Sequence, residues 1–206
     1  PIAGQTLYIM LVFGGIYMFL YYFRRRIFMS DRAMLFIMAL SITFLLLAYG
    51  MNETIGNGLY MVPFTIIPIL IVVFFDGRTA FFVYVSEILL AMLVCAYPLE
   101  FMFTQWTAGV VALCTMKELT RRSQLVRAAF YIFITYTLAY VAVQIIQTAT
   151  IERISPRMIG VFGINAVLIS FAYVLVFVVE KMFGFVSSVT LVELSDVNSK
   201  LLRELS

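Results

Sequence analysis

The sequence has no histidine and only two cysteines. Without imidazole, the commonest metal ligand and the commonest general base are both gone. Cys95 and Cys114 read near opposite ends of neighbouring apolar segments, so they cannot pair and no disulfide framework exists. Charge is scarce as well: Asp, Glu, Lys and Arg make up 12% of the chain, where a soluble domain carries about a quarter. The apolar segments contain no lysine, which excludes retinal chemistry of the rhodopsin kind. No nucleophile stands beside a base, no glycine-rich loop precedes a helix, and no His, Cys or Asp cluster has metal-ligand spacing. The expectation is therefore no catalytic residue, no metal site and no cofactor in this stretch. The net charge of +3 sits at segment ends and not on one soluble face, which argues against a nucleic-acid partner. No sequence repeat or low-complexity segment is seen. The chain starts at Pro1 without a basic leader, so it reads as part of something longer and not as a signal peptide.

What is abundant is apolar length. Hydrophobic residues are 64% of the chain and the mean hydropathy is +1.05. A helix needs ~20 residues to cross ~30 Å of hydrocarbon, and seven such spans would take roughly 140 residues. The expected fold is all-α: a polytopic seven-helix transmembrane bundle with the lipid bilayer as its first partner. The spans read as about Gln5 to Phe23, Ala33 to Met51, Leu59 to Phe75, Thr79 to Tyr97, Phe101 to Met116, Val126 to Thr148, and Met158 to Val179. Asn52 to Gly58 reads as a polar loop, and Asp76-Gly77-Arg78 as a tight turn with glycine available for positive φ. Pro98 marks the end of span four. Spans three to five are short, so six crossings plus a re-entrant hairpin stays open.

Basic residues orient the bundle. With seven crossings, one side holds Arg24, Arg25, Arg26, Arg32, Arg78, Lys117, Arg121, Arg122, Arg127, Lys181, Lys200 and Arg203, and the other only Arg153 and Arg157. That split places the N-terminus outside and the C-terminus in the cytoplasm.

Polar residues inside such spans are the candidate sites. Glu87, next to Ser86, lies about eight residues, hence ~12 Å, into span four. A carboxylate there is costly and points to function. Thr79, Val83, Glu87, Ala91 and Cys95 recur every four residues and form a small face directed into the bundle. The plainer reading is a protonated, hydrogen-bonded glutamic acid. Span six carries Tyr136, Tyr140, Gln144 and Gln147 on one face. Asn165 and the Thr104-Gln105-Trp106 cluster could border the same outer cavity, for a small molecule or lipid. Interhelical hydrogen bonding is the plainer reading of these too. Gly160, Gly163, Ala166 and Ser170 make a small-residue packing face. Pro68, with Pro63 before it, reads as a kink that frees the Phe64 carbonyl.

Past Glu180-Lys181 the chain reaches a Gly184 hinge, and Phe185 to Leu194 suits a helix continuing along the membrane surface. Ser195 to Ser199 is rich in capping residues, and Leu201, Leu202 and Leu205 begin another amphipathic turn. The expected division is a membrane bundle over 1–184 and a cytoplasmic connector over 185–206. Glu180, Phe183, Thr190, Glu193, Leu194, Ser195, Asn198, Leu201, Leu202 and Leu205 make this stretch resemble the exit segment of the seven-transmembrane receptors with an intracellular HD hydrolase, the PgpH-type cyclic-di-AMP phosphodiesterases. Lys200 departs from the proline usual there. The basic Arg121-Arg122-Ser123 loop resembles that family as well. The resemblance implies a sensing module in the bacterial inner (plasma) membrane. It also implies an extracellular domain before Pro1 and an HD hydrolase with two metal ions after Ser206, with Glu193, Asp196 and Asn198 in the coupling linker. A second copy of the chain is a candidate partner. The competing readings are a small-molecule binding or transport component, such as the substrate-capture subunit of a vitamin importer, and a purely structural anchor.

Overall fold

The computed structural model describes residues 2–55, 58–116, 123–150, 154–187 and 191. Among these residues the regular structure is all helix, with no strand. Two long helices open it: α1 (Ile2–Phe23), then a short α2 (Arg25–Phe28), then α3 (Asp31–Thr54). Ser30 caps α3, its hydroxyl accepting the Ala33 N–H at 3.4 Å. The helix continues through Asn52, Glu53 and Thr54, so the start of the expected polar loop is a last helical turn. In that turn the Thr54 hydroxyl bonds back to the Gly50 carbonyl at 2.8 Å.

The third expected span takes a different form. A 3₁₀ turn (Gly58–Met61) and an irregular stretch lead into α4 (Ile66–Phe74), which is only nine residues long. Pro68 falls in the first turn of α4, where a missing N–H costs nothing. The Phe64 carbonyl is not freed but accepts the Ile67 N–H at 3.0 Å. The prolines therefore start a helix instead of kinking one. Ile66 to Ile71 are all buried, so this segment is the centre of the core.

Asp76 opens α5 (Gly77–Ala91), its carboxylate accepting the N–H groups of Arg78 and Thr79, both at 3.0 Å. Gly77 is the first helical residue and does not use positive φ. Of the glycines among the described residues, only Gly184 does so. Arg24 closes the same corner: Nε and Nη2 donate to the two Asp76 oxygens at 2.9 and 3.0 Å. Burial pushes the Asp76 pKa up, but the hydrogen bonds from Arg24 and Thr79 outweigh it and hold the carboxyl below its usual range. After α5 a 3₁₀ turn (Met92–Val94) precedes α6 (Pro98–Met116), which Pro98 begins.

The final elements are α7 (Ser123–Thr148), α8 (Pro156–Ser170) and α9 (Ala172–Phe183). The last expected span is thus two helices, bent by 42°. Helix α8 packs on α7 and buries Met158, Val161, Phe162, Asn165 and Ile169, with Phe162 against Tyr136 and Tyr140 of α7. Of the small residues, Gly163 looks toward Phe133 of α7 while Gly160 faces open space.

Among the described residues four helices are long and apolar enough to cross a membrane, or five with the α8–α9 pair taken as one span. Helix α4 is too short for that count. Helix α6 has the length, but Glu100, Gln105 and its threonines dilute its apolar character. Side chains gather the element ends into two poles. At one, Asn52 reaches the Val94 carbonyl at 2.8 Å and Tyr8 the Leu89 carbonyl at 3.0 Å. At the other lie the Arg24–Asp76 pair and the end of α9.

There Gly184 (φ 68°) ends α9 in the left-handed conformation, its N–H bonding to the Glu180 carbonyl. Residues 184–187 are not helical, so α9 does not run on from Phe185. Instead Phe185 turns back among Phe36, Phe74, Phe75 and Phe183, with ring centroids 5.6–5.9 Å away. The bundle's contacts extend past the expected boundary at 184. The expected coupling residues Glu193, Asp196 and Asn198, with the rest of 192–206, lie outside the described residues. So do Arg121, Arg122 and Arg153.

Candidate functional site

Tyr60 is delivered to the first pole by the 3₁₀ turn ahead of α4 and is held from two sides. Its carbonyl accepts Asn165 Nδ2 of α8 at 2.7 Å, and its hydroxyl donates to Glu100 Oε1 at 3.2 Å. Glu100, in the first turn of α6, is 6% exposed. Its other oxygen accepts Gln144 Nε2 of α7 at 2.9 Å. Each oxygen thus accepts one neutral donor, and the carboxyl group keeps further acceptor capacity facing the cavity. Tyr140, one turn before Gln144, accepts the Ser155 N–H at 3.3 Å and ties the foot of α8 to α7. Tyr60, Glu100, Gln144, Tyr140 and Ser155 border a cavity of about 490 Å³, completed by Gln147, Thr148, Tyr97 and Arg157 among others. Among the described residues its lining offers a ligand one carboxylate, one guanidinium and several neutral donors and acceptors.

A second polar centre lies deeper. Gln105 Oε1 accepts the Tyr136 hydroxyl at 2.6 Å, and the Tyr84 hydroxyl donates to the Gln105 carbonyl at 2.7 Å. Phe162 stacks on Tyr136 at 5.2 Å and meets Tyr140 edge-on at 5.7 Å, separating this centre from the cavity. Both centres are threaded between helices, and neither contains reactive groups in catalytic register.

A family model described as 7TM receptor with intracellular HD hydrolase matches residues 1–187. The chain belongs to that family. No curated protein and no solved structure matches it. The match covers nearly all the described residues, so the bundle, the cavity and the Gly184 turn are all parts of this 7TM receptor module.

The residues singled out from sequence fall into three places in the module. Tyr140, Gln144 and Gln147 line the cavity. Asn165 and Gln105 are buried and do not: Asn165 braces Tyr60, and Gln105 joins α6 to Tyr84 and Tyr136. Thr104 bonds to its own helix, and Trp106 is exposed and borders a groove it shares with Val85 and Leu89. Glu87 stands apart in the middle of α5. It is fully buried, as are Thr79, Val83 and Ala91 on the same face. Its oxygens have no hydrogen-bond partner, and Ser41 of α3 stands beside it without meeting hydrogen-bond geometry. Ser86 bonds to the Phe82 carbonyl of its own helix at 2.9 Å.

Sequence reasoning misses Glu100 and Tyr60, the hub of the cavity. It leaves Glu100 in the loop before span five. The signal available is Pro98, which favours the first helical position and so draws Glu100 into the helix. Tyr60 carries no local signal.

Proposed function

We propose that this chain is the sensing and transmitting module of a bacterial inner-membrane receptor that regulates an attached cytoplasmic HD phosphohydrolase acting on cyclic-di-AMP. The reading takes seven crossings, with the N-terminus outside and the C-terminus in the cytoplasm. The alternation of element ends between two poles supports that path, with the 58–75 segment and the bent α8–α9 pair each completing a passage. One observation carries the functional reading. The buried segment 58–75 bears Tyr60 at the cavity and Phe74 and Phe75 against Phe185 at the exit. A ligand that prefers one seating of Tyr60 thereby biases the seating of α9 and of the chain beyond it. In this reading the two metal ions of such a hydrolase are held by the hydrolase domain itself.

Phosphodiesterase activity of the full-length receptor, in liposomes, tests the proposal. Phe185→Ala should bring cyclic-di-AMP hydrolysis to the rate of the isolated hydrolase domain, without changing that domain's own activity. A Phe185→Ala receptor that keeps the wild-type rate, where wild type differs from the isolated domain, sinks the coupling. The cavity also favours a second reading, a small-molecule binding or transport component. Uptake of a solute lost on deletion, with hydrolase control intact, would select it.

A further inference from the structure

The charge arrangement of the cavity specifies more than a polar ligand. Glu100 is nearly sealed, and its two partners, Tyr60 and Gln144, are neutral. Two donors leave about half of a carboxylate's acceptor capacity unused, and a buried charge without a cation is costly. Arg157 lines the same cavity from the first turn of α8, where the helix dipole also favours an anion. Among the described residues neither Glu100 nor Arg157 is in an ion pair. The two opposite charges share one cavity without satisfying each other.

We infer that this cavity takes a small zwitterion, with its ammonium on Glu100 and its carboxylate or phosphate on Arg157. A simple cation would leave Arg157 unused, and a simple anion would meet the Glu100 charge. Among the described lining residues Glu100 is the one carboxylate, fewer than the several oxygen ligands a lone hard metal ion takes. The volume, about 490 Å³, lies within the range of small-molecule sites. A free amino acid or short peptide presents this chemistry, and so does a phosphatidylethanolamine headgroup. The inference deepens the sensing reading and rests on it for its purpose, so the test reads binding and not hydrolase output.

Full-length receptor in phosphatidylglycerol nanodiscs is titrated with alanyl-alanine, its N-acetyl derivative and its amide. The zwitterion should bind at least about tenfold more tightly than either singly charged probe, since each loses one charged hydrogen-bonded contact. Arg157→Gln should erase the penalty for amidation, and Glu100→Gln the penalty for acetylation. Arg157 is exposed, so its variant keeps the test decisive if Glu100→Gln does not fold. In phosphatidylethanolamine nanodiscs, a headgroup occupant should raise the thermal midpoint of wild type but not of Arg157→Gln, and compete with the dipeptide. Binding of the dipeptide alone assigns a soluble source, and the lipid effect alone assigns the headgroup. The inference is overturned if neither separates wild type from Arg157→Gln, or if singly charged probes bind as well as the zwitterion. Zwitterion binding that leaves hydrolysis unchanged overturns the sensing reading and spares this one.

Discussion

Gly109 shows how tightly single positions are set. A Cβ there would run into the ring of Tyr84, whose hydroxyl is tied to the Gln105 carbonyl. Gly109→Ala should destabilise the bundle by about 1–3 kcal/mol through overpacking. Gly163→Ala, whose Cβ would meet Phe133 at an ordinary 3.9 Å, should stay close to neutral. Thermal unfolding in detergent separates the two. Asn165→Leu removes the donor to the Tyr60 carbonyl and should cost about 0.5–2 kcal/mol. It should also loosen Tyr60, weakening any cavity ligand, as calorimetric titration would show. Glu87 and Gln144 are visible in the sequence because a polar residue is conspicuous in an apolar run. Their surroundings are not. Tyr60 meets Glu100 from 40 residues away and Gln144 meets it from 44, and helical periodicity within one segment carries no information about such a meeting.

At the scale of elements, the Asp76 corner joins the end of α1 to the start of α5. The folded pKa of Asp76 is lowered, so its charge stabilises fully above the ordinary aspartate value, ~3.9, and that contribution is lost as pH falls through the lowered value. The thermal midpoint of wild type should therefore exceed that of Asp76→Asn at neutral pH, with the gap closing on strong acidification. Asp76→Ala removes the cap as well and should cost about 1 kcal/mol more. Helices α1, α3 and α7 are legible from apolar length, and the end of α1 from the arginines that follow it. Helix α4 is not, because composition cannot tell a residue facing lipid from one enclosed by protein. Ile66 to Ile71 satisfy either description, and only the neighbours on all sides reveal which applies. The bend between α8 and α9 is hidden for a similar reason, since no proline or glycine marks Phe171.

Across the whole molecule, the proposed path predicts an accessibility pattern. A cysteine at Tyr97 should react with a membrane-impermeant maleimide from outside the cell, and one at Lys181 only after permeabilisation. Native Cys95 and Cys114 are replaced by serine first. Equal reaction at both sites in intact cells would rule that path out. The enclosed 58–75 segment has a further consequence, for the order of biogenesis. Its short helix and irregular lead-in have too little regular backbone to rest alone in hydrocarbon, where unpaired peptide groups are costly. It can settle only once α5, α6 and α8 have been made and have closed around it, the last supplying Asn165. Chains cut short before α8 should therefore be cleared by membrane proteases, while cuts after Ser187 should leave a durable bundle.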